Sequence, residues 1–489
     1  MRDDQRRQHL VDSNPWWQAA SLGHDPTAWT AHQRILRDRQ SYDLGYRPTV
    51  LNDVHTGPVT DLLAVLTGPR RIGKSVALLD TAAELCARPD LDPRQVIYLP
   101  CDGMTSQDVR RCLVLTRELT RAIDFDQPLP RIWLLDEISG VPGWTSALKL
   151  ARDTTEFGTD TVIATGSRWA ANEDVEGNLF AGRAGTGPGR RTRLLLPMTF
   201  REFLTISRLQ TPGLDPVHVS DLQSLATARA LETVAFNVDA YDLAWQDYLS
   251  CGGFPRAVAE HTRNGAVADN YLTDLKAWLR TDVDPEGRQD SVPRLLSIIA
   301  ERSTSPLNIA NAGEELGYKT RDIAERRLNR LVSSHAALWC PRRDGDRLVA
   351  GAQSKLYLTD PLLASLPSRL RTGMPAPDMT RLTEMAIGVA MARAIDDLEE
   401  GRWVSGDTIG YVRTTSDREI DLGPTTVPSA AGPVTSVPIE SKWVDRGWKN
   451  EAKTIDGKFH HGILATKSVL DLSGRVWAIP APLVALLLQ

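Results

Sequence analysis

The feature that most constrains this chain is an apolar run that leads into a glycine-rich loop and then into a helical pattern. Residues 62–66 are all apolar, and the spacing G-x-x-x-x-G-K-S follows from Gly68 to Ser75. Glycine permits a tight turn and lets backbone N–H groups approach phosphate oxygens closely. The pattern therefore predicts a buried β-strand, a phosphate-binding loop and a helix whose positive N-terminal end adds to the anion site.

The loop residues are predicted to bind a nucleoside triphosphate. We expect Lys74 to reach the β- and γ-phosphates and the Ser75 hydroxyl to ligate Mg²⁺, so the predicted cofactors are ATP and Mg²⁺. A simple glycine turn with a surface lysine is the alternative, which the complete spacing in a strand–loop–helix context disfavours. The predicted nucleotide-binding residues of the loop are Gly68, Pro69, Arg70, Arg71, Ile72, Gly73, Lys74 and Ser75.

A second apolar run ends in two acids. Residues 132–135 precede Asp136 and Glu137, as expected for a central parallel strand whose carboxyl end faces the metal. Asp136 is predicted to hold Mg²⁺ and Glu137 to polarise the attacking water. An ordinary strand with a solvated acidic end is the alternative, but the position of this run after the phosphate loop favours the catalytic interpretation.

A third predicted strand, residues 161–165, is followed by a small polar residue, Ser167. Ser167 or Thr165 would suit contact with the γ-phosphate or the water, and Ser167 is included among the predicted nucleotide-binding residues. Arg183 is included as well, just before a glycine- and arginine-rich loop at residues 184–193. That loop would suit contact with nucleotide, nucleic acid or a neighbouring subunit, and a solvated loop is an equal alternative.

Composition narrows the class of protein. The net charge of −5 means that any nucleic-acid contact must come from local basic patches. The five cysteines lack C-x-x-C spacing, which is typical of reduced thiols and not of a disulfide framework or a zinc site. No apolar run reaches the length of a membrane span, and the N-terminus lacks the apolar core of a signal peptide. We therefore predict a cytoplasmic protein with no membrane partner.

Residues 290–360 have the pattern of a winged helix. A short helix at 307–316 and a turn are followed by a second helix that begins at Arg321, and two apolar strands follow as a wing. In a helix-turn-helix the second helix enters the major groove, where arginines contact phosphates and guanine. DNA binding and a purely structural packing role are equally compatible with this pattern.

The last third of the chain carries a separate group of acids. Asp421 ends a probable hairpin, and Glu440 and Lys442 lie two residues apart in an apolar strand, so both face the same side. A lone acid followed by Glu-x-Lys on a strand is the layout of a PD-(D/E)XK nuclease core. Asp421 and Glu440 are predicted to share Mg²⁺, and Lys442 to position water or neutralise phosphate charge. Glu384 would add a carboxylate from the preceding helix, and an ordinary Glu–Lys pair is the alternative.

On these motifs the chain resembles the prokaryotic AAA-type ATPases, related to the STAND and archaeal ATPase groups, that carry a C-terminal PD-(D/E)XK nuclease-like domain. The resemblance implies an AAA-like core, a winged helix and a restriction-endonuclease-like terminal fold. Many relatives would use the terminal domain for binding and not for cutting, and the long loop between Asp421 and Glu440 departs from the family pattern. The segments that carry the resemblance are 14–17, 68–75, 134–138, 165–167, 181–183, 196–203, 252–255, 357–360, 419–421 and 439–442.

The predicted fold class is α/β, with a parallel-sheet P-loop ATPase core, a helical lid, a winged helix and a C-terminal α/β restriction-endonuclease-like domain. Alternating strand and helix patterns predict the parallel sheet, and the paired Trp16 and Trp17 are expected to pack an N-terminal arm onto the core. The predicted segments are the arm at 1–58, the AAA-like core at 59–207, the lid at 208–285, the winged helix at 286–375 and the nuclease-like domain at 376–489.

We predict a Mg²⁺-dependent ATPase coupled to DNA binding, with DNA cleavage as a further option and, by analogy alone, a role in antiviral defence or mobile-element control. The expected partners are ATP and DNA, the latter through the winged helix and the C-terminal domain. The alternative is a non-nuclease ATP-dependent switch whose C-terminal domain only binds partners. A homo-oligomer is a further option, in which Arg183 or Arg168 acts in trans on the transferred phosphate.

Overall fold

The computed structural model divides the chain into two compact units, residues 1–196 and 197–489. Each unit has its own buried core, and the five finer segments predicted above stay predictions. Among the residues that the structure describes, no helix is both long enough and apolar enough to serve as a membrane span. The described residues are 1–124, 128–154, 159–167, 179, 187–209, 213–287 and 290–489.

The first unit contains a five-stranded parallel sheet with helices around it. Its strands are β1 (Leu62–Thr67), β2 (Val96–Pro100), β3 (Ile132–Asp136), β4 (Thr161–Gly166) and β5 (Thr192–Leu194). Its helices are α1 (Asp3–Ser13), α2 (Pro15–Ser21), α3 (Arg34–Gln40), α4 (Asn52–His55), α5 (Lys74–Cys86), α6 (Ser106–Leu119) and α7 (Trp144–Asp153).

The sheet order is β2-β3-β4-β1-β5, and every neighbouring pair is parallel. All residues of β1, β3 and β4 are buried, because a parallel sheet covered on both faces needs continuous apolar strands. The carboxyl ends of parallel strands meet at one edge of the sheet. This order therefore brings the loop after β1 to the same edge as the acidic end of β3, which confirms the predicted α/β P-loop core.

The N-terminal arm covers the edge strand β2. The Asn14 side chain accepts a hydrogen bond from the Tyr98 N–H at 2.7 Å and donates one to the Tyr98 carbonyl at 2.9 Å, as a neighbouring strand would. The indole N–H groups of Trp16 and Trp17 both donate to the Val96 carbonyl at 2.9 Å. Both indoles are buried, so the arm satisfies the backbone groups of an edge that would otherwise invite pairing with another chain.

The second unit begins with a largely helical region that continues into a small hairpin. Its helices are α8 (Phe200–Ile206), α9 (Leu225–Val234), α10 (Val238–Cys251), α11 (Pro255–Asn264), α12 (Asp269–Val283), α13 (Ser291–Arg302), α14 (Ile309–Glu315) and α15 (Arg321–Ser333). The strands β6 (Ala337–Cys340) and β9 (Lys355–Leu358) pair antiparallel, with a small ribbon between them formed by β7 (Arg343–Asp344) and β8 (Arg347–Leu348).

The C-terminal part of this unit is built around a three-stranded parallel sheet. Its order is β14 (Ile439–Ser441), β15 (Gly462–Thr466) and β16 (Val476–Pro480). Two antiparallel pairs precede it, β10 (Val412–Arg413) with β11 (Glu419–Ile420) and β12 (Thr426–Val427) with β13 (Val434–Thr435). The helices are α16 (Pro361–Leu370), α17 (Met379–Leu398), α18 (Arg402–Ser405), α19 (Trp448–Glu451), α20 (Lys453–Phe459) and α21 (Ala481–Leu488).

Candidate functional site

The phosphate-binding loop runs from the end of β1 to the start of α5. Arg71 and Gly73 have left-handed backbones, with φ of 69° and 105°, so the loop curls tightly before the helix begins at Lys74. The first N–H groups of a helix have no partner within the helix, and the helix dipole adds positive potential at that end. The start of α5 therefore offers an anion site.

The Lys74 ammonium lies inside this loop. Its Nζ donates hydrogen bonds to the carbonyl oxygens of Gly68 at 2.9 Å and Pro69 at 3.0 Å. The Glu137 carboxylate lies 3.9 Å from the same ammonium. The lysine side chain is buried, so the loop carries a positive charge that is held in place by its own backbone.

The acidic end of β3 is fixed by a threonine at the end of β4. The Thr165 hydroxyl donates to Asp136 Oδ1 at 2.8 Å and accepts from the Glu137 backbone N–H at 2.9 Å. Glu137 has φ of 52°, a conformation that non-glycine residues seldom adopt, and this N–H bond helps to hold it there. The Glu137 side chain is 34% exposed, so its carboxylate is accessible from solvent.

Tyr98, at the neighbouring strand β2, completes the environment of Asp136. Its hydroxyl donates to Asp136 Oδ2 at 2.8 Å. Burial, together with the adjacent Asp136 carboxylate, raises the pKa of Tyr98 well above its ordinary value, so the hydroxyl stays protonated and acts as a donor. Each Asp136 oxygen thus accepts one hydrogen bond and keeps a second lone pair for a cation.

Tyr98→Phe should weaken the affinity for the Mg²⁺ that supports nucleotide hydrolysis. The change removes a buried hydrogen bond to a carboxylate, worth about 1.5–3 kcal/mol, and frees Asp136 to rotate. We expect roughly a tenfold higher Mg²⁺ requirement in steady-state hydrolysis assays, given that 1.4 kcal/mol is a factor of ten. Tyr248→Phe, which removes a buried tyrosine hydroxyl in the other unit, is the control, and equal Mg²⁺ profiles for the two variants would contradict this role.

The residues at this edge fit the ATP and Mg²⁺ that the loop pattern implies. The helix N-terminus and the Lys74 ammonium suit phosphate oxygens. The Ser75 hydroxyl and the Asp136 carboxylate are oxygen ligands of the kind that Mg²⁺ prefers. The structure brings Lys74, Asp136 and Glu137 together with Thr165, which bonds to the Asp136 carboxylate and to the Glu137 backbone N–H.

Three predicted contacts of this site are less defined. Ser167 is buried directly after β4, and its predicted contact with nucleotide stays a prediction. Arg183 and Arg168, predicted to contact phosphate, lie outside the described residues, as does the start of the glycine- and arginine-rich loop.

A second group of predicted residues comes together in the C-terminal unit. A bridge between Leu422 and Ile439 places the end of the β10–β11 hairpin antiparallel to β14. In this register the Asp421 N–H donates to Glu440 Oε2 at 3.1 Å, and Asp421 Oδ2 accepts from the Ser441 N–H at 2.9 Å. The predicted convergence of Asp421 and Glu440 is therefore present in the fold.

Lys442 lies at the solvent side of this group. Its Nζ is 2.6 Å from Glu440 Oε1 and 4.0 Å from Asp421 Oδ2, and its side chain is 32% exposed. Glu384 enters from α17 and is buried. The structure thus places Glu384, Asp421, Glu440 and Lys442 around one position, as the sequence pattern predicts.

The sequence pattern missed a second lysine at the centre of the cluster. Lys355, the first residue of β9, is fully buried. Its Nζ lies 2.8 Å from Glu384 Oε1, 2.7 Å from Glu419 Oε1 and 2.7 Å from Asp421 Oδ1. The Tyr357 hydroxyl donates to Glu384 Oε1 at 2.8 Å, so two residues of one strand contact Glu384.

Burial and neighbouring charges shift the pKa values of these carboxyl groups in different directions. Burial and the nearby Asp421 charge raise the pKa of Glu440 to about 8 and that of Glu384 to about 7. Burial also acts on Asp421, but the ammonium groups of Lys355 and Lys442 outweigh it and lower the Asp421 pKa. Asp421 is therefore the most acidic of these three carboxyl groups.

A divalent cation does not fit this cluster as it stands. The Lys355 ammonium already lies among three of the carboxylates, and the Lys442 ammonium bonds to the fourth. Within the described ranges, no group of three or more His, Cys, Asp or Glu side chains has the arrangement of a metal site. No metal-dependent step follows from this geometry, and Asp421 and Glu440 as metal ligands stay a prediction.

Tyr98 and Lys355 are the functional candidates that sequence reasoning missed. Lys355 and Tyr357 are two residues apart in an otherwise apolar strand, so they face the same side. A lysine inside a buried strand needs a charged partner, and that is the signal that could have revealed it. Tyr98 offered no comparable signal, because its contact with Asp136 depends on the strand order of the sheet.

Comparisons with known protein families place the first unit. Residues 60–204 match a family model described as an AAA domain, and residues 242–372 match one described as a domain of unknown function, DUF8612. Together with the parallel sheet and the loop geometry, this match shows that the first unit is similar to AAA-type P-loop domains. The search of curated proteins found no match.

Solved structures with partial similarity were also found. The Walker-type ATPase paby2304 of Pyrococcus abyssi is 15% identical, with 67% of this chain and 95% of that chain covered and a TM-score of 0.38. Aeropyrum pernix Orc1 in complex with DNA is 16% identical, with 65% and 89% covered and a TM-score of 0.25. The Thermotoga maritima RuvB Holliday junction branch migration motor is 16% identical, with 60% and 86% covered and a TM-score of 0.27.

Proposed function

We propose that the protein is a Mg²⁺-dependent ATP hydrolase whose second unit binds DNA. The observation that carries the ATPase part is the convergence of Lys74, Asp136, Glu137 and Thr165 at one edge of the parallel sheet. Phosphate release from ATP by the purified chain, measured with and without Mg²⁺, tests it directly. Absence of hydrolysis under both conditions, with or without DNA, would refute the proposal.

The described residues have distinct tasks in this reaction. Lys74 and the N-terminus of α5 hold the phosphates, and Ser75 and Asp136 hold the cation, which when bound neutralises charge on the transferred phosphoryl group. Glu137 orients the attacking water and takes up its proton, since it is the accessible carboxylate beside the loop. Thr165 fixes the positions of both acids.

The DNA-binding part of the proposal is supported by the helix pair α14 and α15. A Cβ added at Gly313 would lie 3.1 Å from the Ala324 Cβ, so the two helices approach closely. The turn between them contains Gly317 with φ of 74°, and the β6–β9 hairpin follows. This arrangement is compatible with a winged helix whose second helix, α15, enters the major groove.

The basic residues available for such contact are fewer than the sequence indicates. Lys319, Arg321 and Arg326 are exposed at the turn and along α15. Arg327, in contrast, is buried, and its Nε lies 2.5 Å from Asp284 Oδ1. Arg327 therefore holds α15 to the preceding segment and is not part of the proposed DNA surface.

Replacing Lys319, Arg321 and Arg326 together with alanine should weaken DNA binding. Each phosphate contact that is lost should reduce the slope of log affinity against log salt by about 0.9. We expect a loss of affinity of roughly 10- to 100-fold near physiological salt, measured by fluorescence anisotropy with a duplex probe. Arg229→Ala removes an exposed arginine of α9 and is the control; an unchanged salt slope in the triple variant would contradict DNA binding through α15.

DNA cleavage is the second candidate, favoured by the convergence of Asp421, Glu440 and Lys442. The contacts of Lys355 weigh against it, because they place an ammonium group beside both Glu384 and Asp421. We therefore propose that the C-terminal part of the second unit, which holds this cluster, binds DNA and does not cut it. Roles in antiviral defence, a cytoplasmic location and a homo-oligomer stay predictions.

Incubation of supercoiled plasmid with the purified chain and Mg²⁺ or Mn²⁺ separates binding from cutting. We expect intact plasmid for wild type, for Lys442→Ala and for Glu440→Gln, because the Lys355 ammonium stays beside Asp421 in all three. Metal-dependent nicking by wild type that is lost in both variants would establish cleavage at this cluster. Nicking that persists in both variants would indicate a contaminating nuclease.

A further inference from the structure

The carboxylate cluster of the second unit is organised around a buried ammonium group. Glu384 comes from α17, Glu419 from β11, and Asp421 follows β11 directly, so the three acids come from two segments of the chain. Each places one oxygen 2.7–2.8 Å from the Nζ of Lys355. Lys355 is fully buried, whereas Glu419 is 21% exposed, so the cluster reaches solvent on the side of the hairpin.

The number of donors and acceptors matches. A lysine ammonium has three N–H donors and no acceptor, and three carboxylate oxygens surround Lys355. Burying an ammonium group with fewer partners would cost free energy, and burying the acids without a cation would do the same. The four carboxylates therefore have two internal cations, Lys355 at the buried side and Lys442 at the exposed side.

We propose that Lys355 is the resident cation of this cluster and occupies the position that a divalent cation bound by Glu384, Glu419 and Asp421 would need. Oxygen ligands contact Mg²⁺ at about 2.1 Å, so a metal ion and the Lys355 ammonium would compete for the same three oxygens. The lysine also ties β9, in the hairpin after α15, to α17 and to the β10–β11 hairpin. Removal of this one charge converts a closed ion cluster into a divalent-cation site.

The proposal is tested by Mn²⁺ titration of the full-length, nucleotide-free chain, followed by electron paramagnetic resonance. Wild type should show no stoichiometric site that depends on Asp421. Lys355→Met, which keeps the length of the side chain without its charge, should gain one Mn²⁺ per chain. The double variant Lys355→Met/Asp421→Asn should lose the acquired site. The double variant Lys355→Met/Asp136→Asn should keep it, because Asp136 belongs to the other unit.

Thermal unfolding gives a second readout. Lys355→Met without metal should lower the Tm of the transition that reports on the second unit, on the order of 10 °C, since a buried ion cluster then lacks its cation. Mn²⁺ should restore a large part of that loss in the single variant and none in the double variant. If the single variant is recovered unfolded, purification in Mn²⁺ should restore its fold, and failure to do so counts against the proposal.

Two results would overturn the proposal. One is a wild-type Mn²⁺ site that Asp421→Asn abolishes, since a metal would then coexist with Lys355. The other is a folded Lys355→Met chain that binds no Mn²⁺. Neither result bears on ATP hydrolysis, which is measured separately in the same preparations, so failure of this inference and failure of the proposed ATPase function remain distinguishable.

Discussion

Lys74→Ala should remove most of the nucleotide affinity, and Glu137→Gln should leave binding intact while it nearly stops hydrolysis. Lys74 supplies the charge inside the loop, and loss of its charge-assisted bonds to phosphate should weaken ATP binding by about 100-fold or more. Glu137→Gln keeps the shape of the side chain but cannot accept a proton, so kcat should fall by about 10²–10⁴-fold. Equilibrium binding of a fluorescent ATP analogue and phosphate release measure the two effects separately.

The two variants have matched controls within the same unit. Glu118→Gln changes an exposed glutamate on α6 and should leave both binding and kcat unchanged. Arg71→Ala changes an exposed residue of the loop without removing the Lys74 charge, so its effect on affinity should be smaller than that of Lys74→Ala. Hydrolysis by Glu137→Gln at the wild-type rate would exclude Glu137 as the base. The hydrogen bond between Thr165 and the Glu137 N–H would then need an explanation other than positioning the base.

The sequence predicted the first unit well because its signals are local. Each signal lies within a short stretch: the loop spacing from Gly68 to Ser75, the apolar runs and the two acids. A parallel sheet brings the carboxyl ends of its strands to one edge in any strand order. The contact of Tyr98 with Asp136 could not be predicted in the same way. It depends on β2 being the neighbour of β3 in the sheet, which no local pattern encodes.

The C-terminal site shows the same limit more strongly. The period of two in a strand correctly placed Glu440 and Lys442 on one side, and the hairpin brought Asp421 to them. Lys355 lies 66 residues before Asp421 in the chain, and its role changes the chemistry of the cluster. A sequence motif identifies the acids that suit a metal, whereas the structure shows that the Lys355 ammonium already lies among them.

Gly252→Ala should strongly destabilise the second unit. Gly252 has φ of 71° and ψ of −167°, a backbone region that is essentially restricted to glycine. A Cβ there would lie 2.1 Å from Asp360 Oδ1 and 2.8 Å from the Leu362 Cβ. No local pattern reveals this contact, because Asp360 is more than a hundred residues away in the chain.

The clash would displace the Asp360 carboxylate, which accepts two backbone hydrogen bonds. Asp360 accepts from the Gly253 N–H at 2.7 Å and from the Leu362 N–H at 2.8 Å, so it caps α16. Burial raises the Asp360 pKa to about 6, which means that these two N–H donors do not fully offset the cost of its desolvation. Moving the carboxylate away from its donors would leave buried N–H groups unpaired.

We expect Gly252→Ala to reduce the free energy of unfolding by about 3–5 kcal/mol, the sum of backbone strain and lost capping bonds. Gly265→Ala is the matched control, because Gly265 also has a positive φ, 72°, at a helix C-terminus but has open space around it. That control should cost only about 1 kcal/mol. Thermal unfolding of both variants measures the difference, and equal Tm values would show that Asp360 yields to the new methyl group and that the packing around it does not define this turn.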